Sequence, residues 1–175
     1  MGIVFQGNIR EIGMNMVLRL PREASDKLPS RGLVMVKGTI NGAAFLAPLE
    51  PDGRGGHFLF MSDKLMELTH AAQGQSAALE IEPAEVWPEP EIPEDVLVAI
   101  EKAGLTERWN SITTKARWEW HRWIRATKNP ATRQKRIEVA CSKLKKGDNR
   151  PCCFNAASCT IMEVSKAGVL ADADA

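Results

Sequence analysis

No apolar run in this sequence approaches the roughly 18 residues that a helix needs to cross a bilayer. The N-terminus lacks the charged-then-apolar pattern of a secretory signal. Both absences lead us to expect a cytoplasmic protein without membrane insertion. Catalytic fingerprints are missing as well: there is no nucleophile elbow, no phosphate loop and no dinucleotide-binding glycine pattern. The three histidines, His57, His70 and His121, fall in no metal-ligand spacing. Cysteine is scarce and confined, with Cys141, Cys152, Cys153 and Cys159 all in the last 35 residues. In a reducing compartment these read as free thiols. Zinc wants four ligands in short paired spacings, whereas Cys152 and Cys153 are adjacent and only three thiols cluster. The cysteines therefore read as structural, and neither a metal nor another cofactor is expected. The basic run from Lys143 to Arg150 before Cys152 leaves a lowered thiol pKa open.

What is present is an ordinary globular composition, 44% hydrophobic and 26% charged over 175 residues. That is enough to bury a core as one domain or two small ones. The formal net charge of +1 is uninformative, but its distribution is not. Residues 1–92 carry 8 Lys+Arg against 12 Asp+Glu, a balance of −4, and residues 106–150 carry 13 against 4, a balance of +9. Such asymmetry can mark an anionic partner.

The first part reads as β-structure. Ile3, Phe5 and Ile9 lie in a first strand, and Met14, Met16, Leu18 and Leu20 alternate in a second that Pro21 ends. A third runs from Leu33 to Ile40, followed by Asn41-Gly42 and the apolar run Ala43 to Leu49. Asn-Gly between two such runs predicts a hairpin, because both positions tolerate positive φ. The loop Gly53-Arg54-Gly55-Gly56 leads to a strand at His57–Met61. Ser62 can cap a short helix ending near Gly74, and Ala77 to Ile81 form a last strand. Five or six short strands with one helix predict a small closed antiparallel barrel, since closure removes exposed edges.

Pro83, Pro88, Pro90 and Pro93 then interrupt regular structure in an acidic, semi-stiff connector. Beyond it the chain reads as helices. The first starts at Pro93, buries Val96, Ile100 and Ala103, and stops at Gly104. The second spans about Thr114 to Thr127, with Ala116, Trp120, Trp123, Ile124 and Thr127 on an apolar face. Arg117, His121, Arg125 and Lys128 lie opposite, so Trp123 and Ile124 are expected to be buried and Arg117 and Arg125 exposed. Asn129-Pro130 caps a third helix whose buried stripe is Ile137, Ala140, Cys141 and Leu144, stopped at Gly147. The tail from Ala167 is small and acidic and is expected to fray. The expected class is α+β: a barrel domain at 1–82, a connector at 83–93, a helical domain at 94–150 and a cysteine-containing tail at 151–175.

The run Trp123-Ile124-Arg125-Ala126-Thr127-Lys128, then Thr132-Arg133 and Arg136-Ile137, resembles the YdeI/OmpD-associated family of bacterial proteins, also labelled bacteriocin-protection. Thr127 between Ala126 and Lys128 departs from that pattern. Leu20-Pro21, Val36-Lys37-Gly38-Thr39-Ile40-Asn41-Gly42 and Gly55-Gly56-His57 resemble the barrel-forming domain of unknown function that often precedes those helices. Together the resemblances cover about residues 14–150. They imply the fold, a bacterial origin, a cytoplasmic setting and, from the label, a stress response. They imply no catalytic residues.

Three functional readings compete. The first is a non-enzymatic binding protein for an anionic ligand or partner. The second is a nucleic-acid-binding module, in which bases stack on exposed tryptophan while Lys and Arg neutralise phosphates. Trp118, Arg122 and Arg125 share a helical side, Lys128 follows, and Arg133 and Arg136 open the next helix. Trp120 and Trp123 lie on the apolar stripe and read as core. The bland alternative is a solvated face, or arginines that pair with the acidic barrel or with connector carboxylates such as Glu89 or Glu91. The third is an enzyme using His57 as general base beside Asp52 and Arg54. Against it, His57 at a strand start reads equally as a packed ring. The Gly53–Gly56 loop reads as a turn needing positive φ before it reads as an anion cradle.

Overall fold

The first part of the chain forms six strands: β1 (Ile3–Ile12), β2 (Asn15–Arg19), β3 (Val34–Ile40), β4 (Ala43–Pro51), β5 (His57–Phe60) and β6 (Ser76–Pro83), with the clearest alternation of buried and exposed residues in β6. The computed structural model describes residues 2–151, 165–166 and 169–171. In it the strands close into an antiparallel barrel of order β1-β2-β5-β4-β3-β6, with β6 returning to β1. Ile9, Leu18, Val36, Ile40, Leu49, Leu59, Leu79 and Ile81 fill its interior and are almost fully buried. Closure leaves no long strand edge to template aggregation.

Local chemistry sets the joints. Asn41 and Gly42 both take positive φ and join β3 to β4 with Ile40 opposite Ala43, the hairpin that their pairing predicts. Gly38 sits where β3 passes close to β6; a Cβ there would lie 1.9 Å from the Glu80 carbonyl oxygen, so no side chain fits. Ser62 caps α2 (Asp63–Thr69), its hydroxyl accepting the Leu65 N–H at 3.2 Å. A short helix not expected from the sequence, α1 (Arg22–Ser25), follows Pro21.

One departure from regular pairing shapes the surface. β2 pairs with β1 only between Ile9–Leu18 and Ile12–Asn15. Toward Arg19 it stays with β5, and the Leu20 N–H donates to the His57 carbonyl at 3.0 Å. The N-terminal half of β1 pairs instead with β6, up to Asn8 opposite Ser76. A groove therefore opens outside the barrel wall between Gln6–Asn8 and Arg19–Arg22.

Two compact units make up the chain. The barrel unit runs to Glu85 and also takes the C-terminal hairpin β7 (Ser165–Lys166) and β8 (Val169–Leu170). The expected fraying of the tail is corrected at β8: Leu170 is buried and its N–H donates to the Asp52 carbonyl at 2.9 Å. Cys152, Cys153 and Cys159 lie outside the described residues. Cys141 is a half-buried free thiol, and burial pushes its pKa up.

The other unit begins at Val86. Residues 84–93 form neither helix nor strand. Then come α3 (Glu94–Lys102), α4 (Thr106–Ser111), α5 (Thr114–Arg125) and α6 (Pro130–Lys146). Asn129 caps α6 by accepting the Ala131 and Thr132 N–H groups, Pro130 opens it and Gly147 at φ 103° closes it. Val96, Ile100, Trp109, Ala116, Trp120, Ile124, Ile137 and Leu144 form a second core with no residue in common with the first. Short α4, which brings Trp109 into this core, was not expected from the sequence.

Trp123 is partly buried against the helical core, with its ring edge against Trp120 and the Arg136 guanidinium 5.3 Å from its centre. Two expectations on α5 are corrected. Arg117, expected to be exposed, has only 11% of its side chain exposed and pairs with Glu89. Arg122 is buried although it lies opposite the apolar stripe. Periodicity assumes one covered face, but the segment before α3 lies along α5 on a second side. There Trp87 meets Lys115, the Pro88 carbonyl accepts the Trp118 indole N–H at 2.7 Å, and Glu89 accepts Arg117 Nε at 2.9 Å.

Candidate anion-binding site

The groove where β1 and β2 part is a cavity of about 480 Å³ on the barrel unit. Each wall follows from a local rule. On β1, Gln6, Asn8 and Arg10 are spaced by two and point outward, while Gly7 and Ile9 turn inward. Gly7 is the floor: a Cβ there would lie 2.5 Å from Leu18 Cδ2. Arg19 ends β2, and Leu20, Pro21 and Arg22 carry the wall into α1. The third wall is the β4–β5 loop, with Asp52, Arg54 and Gly56.

Asp52 organises that loop. It is 2% exposed, and a buried carboxylate must be compensated. Its Oδ1 accepts the N–H groups of Arg54 at 2.7 Å and Gly56 at 2.9 Å, and its Oδ2 pairs with Arg19 Nη2 at 3.3 Å. Wrapping the chain around one carboxylate needs positive φ at Gly53 and Gly55, and Gly56 must stay bare because a Cβ would lie 2.6 Å from Asp52 Oδ2. The glycine cluster is thus explained as a turn. The Arg22 guanidinium is fixed by Nε on Asp26 at 3.1 Å and Nη1 on the Arg54 carbonyl at 2.8 Å. Arg31 shares Asp26 and also reaches the Gly55 carbonyl, and these arginines hold the Asp26 carboxyl below its ordinary pKa. Among the described residues four arginines and one carboxylate line the cavity, and Asp26 pairs with Arg22 from beside it. Guanidinium keeps its proton at any working pH, so the site attracts anions but is a poor proton donor or acceptor.

Of the residues singled out from sequence, Arg54 lies in this cavity. His57, two residues on, does not. It is fully buried, with its N–H on Ser25 Oγ at 3.1 Å and Nε2 bonded to the Gly32 carbonyl at 2.9 Å. Burial holds its pKa below the ordinary histidine value, which disfavours the charged ring. Its ring packs at a strand start, away from the described lining of the cavity.

The helical set does not form one exposed patch. Arg122 is buried, Arg133 pairs with Asp95 at 2.8 Å, and Arg136 bonds the Trp123 carbonyl and covers its ring. Trp118 is half-buried and bonded to Pro88, Arg125 is half-buried, and Lys128 is exposed. Arg10, Arg19, Arg22 and Asp52 escaped the sequence reading as site residues. The legible signal was the outward Gln6-x-Asn8-x-Arg10 spacing on a strand.

With this geometry in view, comparison with known families places both parts of the chain. Residues 89–147 match the family described as Bacteriocin-protection, YdeI or OmpD-Associated. Residues 5–81 match a Domain of unknown function (DUF1905). No curated protein matches the chain. Among the described residues, no helix is long and apolar enough to cross a membrane.

Proposed function

We propose that this chain, which joins a DUF1905 domain to a YdeI or OmpD-associated domain, is a non-enzymatic binding protein that takes a small anionic ligand in the arginine-lined cavity of its barrel. The observation that carries this reading is the convergence of Arg10, Arg19, Arg22 and Arg54 on one concave site. Arg19 and Arg22 are already held in place by protein acceptors. Guanidinium groups fixed before the ligand arrives cost less ordering on binding. Among the described lining residues the carboxylate, Asp52, is buried and ion-paired, and guanidinium groups are poor proton donors or acceptors, which favours binding over acid–base chemistry. The words "bacteriocin-protection" support a bacterial, stress-related setting for that binding.

The cavity is preferred over the helical face for a polyanion because its arginines line one concave site, whereas Arg122 is buried and the helical set forms no single exposed patch. The test is a thermal-shift series with phosphate, sulfate and citrate on the wild type and on the Arg19→Ala/Arg54→Ala variant. A ligand that binds only the folded state at 100 times its Kd adds about 2.7 kcal/mol. We expect at least one anion to raise the wild-type midpoint and to leave the variant unmoved. Equal shifts in both proteins would remove the cavity from the function.

A further inference from the structure

We propose that Asp172 and Asp174 of this chain enter the arginine-lined cavity as an internal anion, which a ligand from outside must displace. This names a regulation of the site proposed above and rests on that reading. Leu170 is buried in the barrel unit, and its N–H donates to the Asp52 carbonyl at 2.9 Å. Asp52 itself lines the cavity, and its side chain holds the N–H groups of Arg54 and Gly56. The chain is therefore fixed at one wall of the cavity just before Asp172. At about 3.3 Å per extended residue, Asp172 reaches about 7 Å from that anchor and Asp174 about 13 Å.

The spacing of the two aspartates fits that anchor. Side chains two apart share one side of an extended strand. Continued past Leu170, this period turns Asp172 and Asp174 to the side that buries Leu170 and leaves Ala171 and Ala173 on the other. Ala171 is exposed, as the period requires. Between Lys166 and Ala175 there is no lysine or arginine, so nothing inside the run neutralises its carboxylates.

The cation that receives them is Arg54. Arg19 pairs with Asp52, and Arg22 and Arg31 share Asp26, so these three have carboxylates already. Arg54 spends its backbone N–H on Asp52 Oδ1 and its carbonyl on Arg22 Nη1. Its side chain is exposed and makes no ion pair or hydrogen bond among the described residues. A carboxylate brought to that guanidinium gains a charge-assisted hydrogen bond. Pairs at an exposed guanidinium are weak, so the tail yields to a ligand rather than sealing the site. Tethering offsets that weakness, because a short link holds the carboxylates at an effective concentration on the order of millimolar.

The experiment compares the full chain with its Asp172→Asn/Asp174→Asn variant, which keeps the side-chain size and loses the charge. Isothermal titration with sulfate and with citrate at low ionic strength gives the affinities, and NMR follows the backbone amides. We expect the variant to bind at least one of the two anions about threefold tighter or more, and Arg54→Ala to remove the difference. The amide resonances of Arg54 and Gly56 should shift between wild type and variant, while those of Arg117 and Arg133 in the helical unit stay in place. Unmoved Arg54 and Gly56 resonances would overturn the inference. Equal affinities in the two proteins, abolished by Arg19→Ala/Arg54→Ala, would also overturn it while sparing the anion-binding reading. Binding of neither anion by either protein would remove both.

Discussion

His57 shows how burial converts a candidate catalyst into a structural group. Its Nε2–H donates to the Gly32 carbonyl, and its Nδ1 has no partner among the described residues. A proton added to the ring would place a charge in a buried site. Burial is the largest cause of the lowered pKa, offset in part by the Gly32 carbonyl and the Asp52 charge. The unfolded chain titrates near the ordinary histidine value of about 6.5. The unfolded state therefore binds more protons below that pH, and the folded state loses stability as pH falls from about 6.5 through the folded pKa. The slope approaches about 1.4 kcal/mol per pH unit for one proton. Urea midpoints at pH 7.5, 6.5 and 5.5 should fall across the lower interval, and His57→Gln, which keeps an N–H for Gly32, should flatten that fall. The same fall in both proteins would show that His57 is not the group responsible.

At the scale of elements, α5 carries a prediction that separates its tryptophans. Trp120 is fully buried, and its indole N–H donates to the Asn149 carbonyl at 2.9 Å. Trp123 is partly buried under the Arg136 guanidinium. Trp120→Ala should cost about 3–5 kcal/mol, the usual range for truncating a buried aromatic. Trp123→Ala should cost less, because its burial is less complete. Chemical denaturation followed by the remaining tryptophan fluorescence checks the order, and equal losses would contradict it. Elements with a strong period or cap were legible from sequence: the β3–β4 hairpin through Asn41-Gly42, α2 through Ser62, and α6 between Asn129 and Gly147. Those of one turn or so, α1 and α4, were not, because so short a segment displays no periodicity. Arg122 misled for another reason: sequence spacing shows which side of a helix a residue occupies, but not how many sides are covered.

At the scale of the whole molecule, the cavity was illegible because its arginines come from positions 10, 19, 22 and 54, and each alone reads as a solvated charge. Only the parting of β1 from β2 and the Asp52-centred loop bring them together. The same logic applies to the C-terminal hairpin, whose association with the barrel crosses more than a hundred residues. Leu170 is 3% exposed, and its N–H donates to the carbonyl of Asp52, the residue whose side chain holds Arg19 and the Gly53–Gly56 turn. Leu170→Ala removes buried apolar surface there and should cost the barrel unit about 2–5 kcal/mol, the range for Leu→Ala in a core. The chain itself supplies the probe that localises the effect. All five tryptophans, Trp87, Trp109, Trp118, Trp120 and Trp123, lie after Val86, so their fluorescence reports the helical unit. Amide hydrogen exchange of β2, β4 and β5 should accelerate in Leu170→Ala, because opening free energies follow local stability. The two cores share no residue, so the tryptophan-detected midpoint should stay in place. Unchanged barrel exchange, or a fluorescence midpoint that moves as far as the exchange, would show that Leu170 does not act through the barrel core.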